Sequence, residues 1–164
     1  MHSGHRQYLE QRYAAGEWFG RGGAGRRRMI ADFAFSGSEL RGWTLLRAER
    51  DEGADPPAIR SFWQPGDEAL ELLSIEVWLC GSVRAAHDQL LEILANMQSD
   101  AIERREGLGD IAFALNDTMA LFARANVVVL LRNAGSKTVQ VMPVALAVDE
   151  LLVRLAGEPR GRRR

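Results

Sequence analysis

"ELLSIEVWLCGSVRAAHDQLLEILANMQ", residues 71–98, decides the fold, because its hydrophobic period changes midway. The first part alternates strictly. Leu73, Ile75, Val77 and Leu79 share one face, and Ser74, Glu76, Trp78 and Cys80 the other, which predicts a half-buried strand. After Gly81, Ser82 is a good helix N-cap. From there Val83, Ala86, Leu90, Leu94 and Met97 fall on one stripe of an amphipathic helix.

Working outward, "GWTLLRAER" (42–50) alternates with Trp43, Leu45 and Arg47 on one face and Thr44, Leu46 and Ala48 on the other. A polar, proline-punctuated loop at 51–57 leads to a second strand, "AIRSFWQ" (58–64), and a tight turn at 64–68. Three strands joined by short turns predict an antiparallel meander. Beyond the helix, a charged link (99–107) precedes "LGDIAFAL", "TMALFAR" and "NVVVLLR", with Asn126 at the turn between the last two. A closing helix starts near Pro143 and stops at Gly157. The order β-β-β-α-β-β-β-α lacks the strand–helix alternation of a parallel sheet. The expectation is an α+β fold with one antiparallel sheet of about six strands and two main helices packed on a face. A short helical lead-in precedes it. Residues 1–37 read as a basic, glycine-rich and poorly packed lead-in, 38–157 as a single α+β domain, and 158–164 as a basic tail.

The bulk composition is that of an ordinary globular chain: 164 residues, 46% hydrophobic and 26% charged, enough for one core. The net charge of -1 excludes a surface basic throughout, yet it is unevenly spread. Residues 1–28 carry six arginines against Glu10 and Glu17, and residues 158–164 carry four against Glu158, so the body between them is acidic. Basic ends of this kind suit contact with polyanions, through Arg21, Arg26, Arg27, Arg28, Arg162, Arg163 and Arg164. They also serve as solvated tails. Lys137 is the one lysine; such an arginine bias suits bidentate binding of carboxylate or phosphate, and a GC-rich coding genome gives the same bias. No apolar run approaches the length of a membrane span. As written the chain reads as cytoplasmic, or as extracytoplasmic if a signal peptide was trimmed.

"GRGGAGRRRM" (20–29) satisfies G-x-G-x-x-G through Gly20, Gly22 and Gly25. A dinucleotide loop needs a strand before the first glycine and a helix opening at the last. Neither is present, nor is a βαβ frame, so no nucleotide cofactor is expected. Cys80 is the lone cysteine, which excludes an intrachain disulfide and a cysteine-based metal cluster. Its place just before a helix N-terminus is one where a thiol can be activated, although His87 lies two turns further on, beyond reach. His2 and His5 fall in the lead-in and His87 beside the apolar stripe, so no metal site is expected. The adjacent acids Asp51/Glu52, Asp67/Glu68 and Asp149/Glu150 form no evident acid/base pair. Trp43, Trp63 and Trp78 are candidates for a contact surface, with Trp78 either covered by a helix or partly exposed.

The stretch "GLGDIAFALNDTMALFARANVVVLLRNAG", followed by "VALAVDELLVRLA", resembles the second half of small bacterial domains of the Mog1/PsbP-like kind. In these a Gly-Asp turn enters a strand and an R-x-N-V-V-V hairpin follows. The resemblance covers residues 70–157 and rests on structural motifs. It implies a binding or accessory module, which in that family is often an extracytoplasmic lipoprotein; this chain shows no signal peptide or lipobox cysteine. Locally, "YAAGEWFGRGGA" (13–24) is similar to a segment of conjugative relaxases, but the relaxase histidine triad has no counterpart. The functional expectation is therefore a non-catalytic module that binds another protein, a second copy or a small ligand. A nucleic-acid-associated protein using its arginine-rich ends, or a thiol enzyme using Cys80, are the alternatives.

Overall fold

The computed structural model describes residues 3–20 and 29–157. Its elements run α1 (Ser3–Arg12), α2 (Ala15–Trp18), β1 (Trp43–Asp51), β2 (Ala58–Pro65), β3 (Leu73–Leu79), α3 (Val83–Met97), β4 (Glu103–Arg104), β5 (Ile111–Leu115), β6 (Met119–Arg124), β7 (Val127–Asn133) and α4 (Met142–Leu155). The strands form one sheet in the order β1-β2-β3-β7-β6-β5-β4, with every neighbouring pair antiparallel. Two meanders, β1–β3 and β4–β7, thus meet at the β3–β7 seam, and α3 carries the chain from one to the other. The seventh strand is β4, a two-residue edge piece within the charged link. Its residues are exposed and carry no apolar alternation, so pattern alone does not reveal it.

The helices lie on both faces of the sheet, whereas the sequence predicted one. On one face α4 buries Val144, Ala145, Val148 and Leu152 against Phe122, Val127, Val129, Leu131 and the Leu73–Ile75–Val77 row. On the other, α3 buries Ala86, Leu90, Leu91 and Leu94 against Phe113, Leu121, Val128 and Leu130. A strand covered on both sides has no reason to alternate, and β7 is buried from Val127 to Leu131 without a break.

The described part of the lead-in is packed, correcting the expectation of a loose one there. Leu9, Tyr13, Ala15 and Trp18 are buried in the α3-side core. The Trp18 Nε1–H donates to the Tyr13 carbonyl at 2.8 Å. Salt bridges from Arg6 to Asp88 (2.6 Å) and from Arg12 to Asp100 (3.0 Å) fasten α1 to α3 and to the loop after it. Ile30, Phe33, Phe35 and Leu40 belong instead to the α4-side core, where the Phe35 ring meets Trp63 edge-on. The described lead-in therefore serves both layers.

One strand departs from simple alternation. In β1, Leu45 is opposite Trp63 and Arg47 is opposite Phe62, leaving Leu46 out of register as a β-bulge. The bulge turns Arg47 to the α3 face, away from the Trp43–Leu45 face where the sequence placed it.

Candidate functional site

α3 covers only part of its face of the sheet. Under it the strands are apolar; beyond it they turn polar along defined rows. The register runs from Leu121 on β6 through Leu130 on β7 to Glu76 on β3 and Arg60 on β2, and in the next row from Met119 through Arg132 and Ser74 to Phe62. Each row begins in the core and ends in a charge or an open face.

At that transition lies a groove of about 630 Å³. Buried Ile102, Met119 and Leu130 lie at its base, with Trp78 on one side and Ile93 and Met97 on the α3 side. Its charged side is the cluster of Arg60, Glu76 and Arg132, and Asn96, Ser99, Thr118 and Asn133 line the remainder of its rim. The Glu76 carboxylate is buried and accepts from Arg132 Nη2 at 2.9 Å and Arg60 Nη2 at 3.5 Å. Both arginines remain about half exposed, at 51% and 56% of their side-chain surface. One buried carboxylate thus holds two cations; Glu49, opposite Arg60 on β1, is paired with Arg47, so these five charges sum to one positive charge at this end of the groove. The volume is within the range of small-ligand sites, and an apolar base with a few converging polar groups is their usual chemistry.

The structure does not gather the residues singled out from sequence into one site. Trp78 lines the groove and is partly exposed, as one reading of its face allowed. Trp43 is half-buried against the α4-side core. Trp63 is fully buried and forms no contact surface: its Nε1–H donates to Ser61 Oγ at 2.9 Å, and Ser61 in turn donates to the Ile75 carbonyl. Arg21, Arg26, Arg27, Arg28, Arg162, Arg163 and Arg164 lie outside the described residues.

Cys80 is buried, and its position before α3 does not activate it. Desolvation pushes its thiol up to about 12, and the nearby charge of Asp55 acts in the same direction. A thiolate at neutral pH is disfavoured there. What the Cys80 backbone does is structural. Its N–H donates to the Asn126 carbonyl, and its own carbonyl accepts from Asn126 Nδ2 at 2.8 Å. Asn126 also exchanges two 2.8 Å bonds with the Ile30 backbone, so this one buried side chain ties the β6–β7 turn to β3 and the lead-in.

His87 is fully buried rather than at the edge of the helix stripe. Its Nδ1 accepts from the Gly20 N–H at 2.8 Å, and the Trp18 and Phe19 rings meet it edge-on. Nε2 has no hydrogen-bond partner, and the Asp110 charge, with the Trp18 backbone, favours the protonated form. Burial outweighs that influence and holds the histidine below its ordinary range. Among the described residues no cluster of His, Cys, Asp or Glu has the makings of a metal site. Nor is any helix among them long and apolar enough to cross a membrane.

Arg60, Glu76 and Arg132 were not chosen from sequence. The available signal was Glu76 itself, a charge inside the apolar run "LLSIEVWL" on a strand that pairs on both sides. Such a residue needs a cation on a neighbouring strand, but which strand is set by register. Comparison with protein-family models, curated proteins and solved structures finds no match to this chain.

Proposed function

We propose that this protein is a non-catalytic binding module whose ligand occupies the groove beside α3. The observation that carries this reading is the groove itself. A buried apolar base between half-buried apolar walls presents apolar surface to water that a bound ligand would cover. The resemblance to Mog1/PsbP-like domains, which are generally binding or accessory modules, supports the same reading. So does Cys80, since a buried thiol pushed to about 12 offers no nucleophile for the enzymatic alternative.

The test is saturable binding of the neutral apolar dye Nile red, followed by its fluorescence, in the wild type and in Ile93→Arg. Ile93 lies on the α3 side of the groove, packed on the core's edge but partly exposed, so a charged side chain there can extend into the groove and obstruct it. The wild type is expected to bind and the variant to lose binding with unchanged far-UV circular dichroism. No saturable binding, or equal binding by Ile93→Arg, overturns the proposal.

A further inference from the structure

The charge of the groove specifies its ligand more closely than its shape does. Resting on the proposed binding role, we infer that the groove takes a small amphipathic monoanion, a carboxylate on an apolar body, with the carboxylate held between Arg60 and Arg132. Three features of the geometry converge on this class.

The first is stoichiometry. Among the described residues that line the groove Glu76 is the only acid, Arg60 and Arg132 are both paired to it, and the Glu49 carboxylate opposite Arg60 on β1 is taken up by Arg47. Bringing in one negative charge neutralises the cluster, whereas a neutral ligand leaves the surplus and a cation adds to it.

The second is the quality of the existing bonds. Arg60 reaches Glu76 at 3.5 Å through a single nitrogen, and Arg132 at 2.9 Å likewise through one. Neither guanidinium makes the two-pronged contact with carboxylate that its fork favours. Each keeps further N–H donors, and their half-exposed side chains place these at the groove wall. A buried Glu76 meanwhile fixes the two cations on adjoining strands, on either side of β3.

The third is adjacency. Glu76 is directly opposite Leu130 in the β3–β7 register, and Arg132 is directly opposite Met119 in the β6–β7 register. The charged wall therefore borders the apolar base without an intervening polar row. A ligand whose anionic group begins where its apolar part ends matches that boundary. A long polar or multiply charged ligand does not, because Ile102, Met119 and Leu130 would be left against water or against charge.

The experiment compares dodecanoate with dodecanol, which has the same chain without the charge, by quenching of tryptophan fluorescence and by Nile red displacement. Dodecanoate is expected to bind roughly tenfold more tightly, the worth of one charge-assisted hydrogen bond. The preference is expected to fall to about unity in the triple variant Arg60→Gln/Glu76→Gln/Arg132→Gln, with dodecanol affinity retained. That variant removes all three charges together and so leaves no unpaired buried carboxylate. In Glu76→Gln alone the surplus doubles, and dodecanoate is expected to bind more tightly than in the wild type. Equal affinity for dodecanoate and dodecanol, a preference that survives the triple variant, or failure of dodecanoate to displace bound Nile red overturns the inference while leaving the binding role in place. Absence of Nile red binding overturns the binding role itself.

Discussion

Two three-member charge clusters sit on opposite faces of the sheet with inverted composition. On the α4 face one arginine serves two acids. Arg124 grips Asp149 through two nitrogens at 2.7 and 2.8 Å and reaches Asp110 at 3.0 Å. On the α3 face one acid serves two arginines, Glu76 with Arg60 and Arg132. The first cluster is closed: its three side chains are 12%, 5% and 9% exposed, and the spare acceptor capacity of the acids takes the N–H groups of Gly109 and Ala125. The second is open, with single contacts and half-exposed cations. A closed cluster with two acids sharing one fully engaged cation is built to hold β5, β6 and α4 in place. An open one with a cation to spare, beside an apolar groove, is suited to meeting something from outside.

That contrast yields its strongest consequence in stability. Arg124→Ala strands two buried carboxylates and is expected to cost about 3–5 kcal/mol, the usual penalty for breaking a buried pair from one side. Urea denaturation measures it directly. A loss below about 1 kcal/mol, the scale of exposed pairs, would show that the two clusters do not differ in kind.

Next in size is the turn that presents Gly109 to Asp149. Gly109 has φ +59°, and a Cβ there would lie 2.6 Å from the Ala123 carbonyl oxygen. Gly109→Ala is expected to cost about 3 kcal/mol, combining left-handed strain with a backbone clash. A midpoint shift in urea of under a third of that size would mean that the β5–β6 mouth relaxes, and that the closed cluster is softer than its distances imply.

The α3 face is open only beyond the helix. At the helix's N-terminal end His87 is sealed under the lead-in, with its Nδ1 accepting from Gly20. Its folded-state pKa is held below the ordinary value of about 6.5 by burial, so below that pH the unfolded chain takes up the proton first. The histidine's contribution is therefore intact above pH 6.5 and is lost as pH falls toward its lowered folded value, at up to about 1.4 kcal/mol per pH unit. His87→Phe is expected to remove that slope below pH 6.5. At pH 8 it costs about 1–2 kcal/mol, because the Gly20 N–H loses its acceptor. An unchanged slope would place the titration elsewhere.

Much of this architecture was legible in the chain, and the failures have physical causes. The six longer strands, both long helices, the Ser82 cap and the placement of Asn126 follow from period and turn chemistry, which are local. The sequence could not place α3 and α4 on opposite faces, because the face each helix packs on is set by long-range contacts, and Trp18, Phe33 and Phe35, which join the two cores, look like ordinary aromatic residues in a glycine-interrupted segment. Trp63 reads the same whether its strand lines a surface or the core; its burial follows from residues 30–40 folding over β2. The groove was least legible of all. Arg60, Glu76 and Arg132 come from three strands, and only the β2–β3–β7 register brings them together.

The smallest effect discriminates most sharply between the clusters. Arg60→Gln and Arg132→Gln, taken singly, are each expected to change stability by less than about 1 kcal/mol, since either arginine alone still neutralises Glu76. Together they leave a buried carboxylate with no cation, so the double variant is expected to lose about 1 kcal/mol or more beyond the sum of the two. Such a coupling, read from a urea double-mutant cycle, is the signature of two cations sharing one acid. Purely additive losses would mean that Glu76 is content without either partner, and that the cluster holds no surplus charge for a ligand to use. In the α4-side cluster the roles of acid and base are exchanged, and the single cation has no substitute. There one substitution already produces the full loss, which is the difference the cycle is designed to expose.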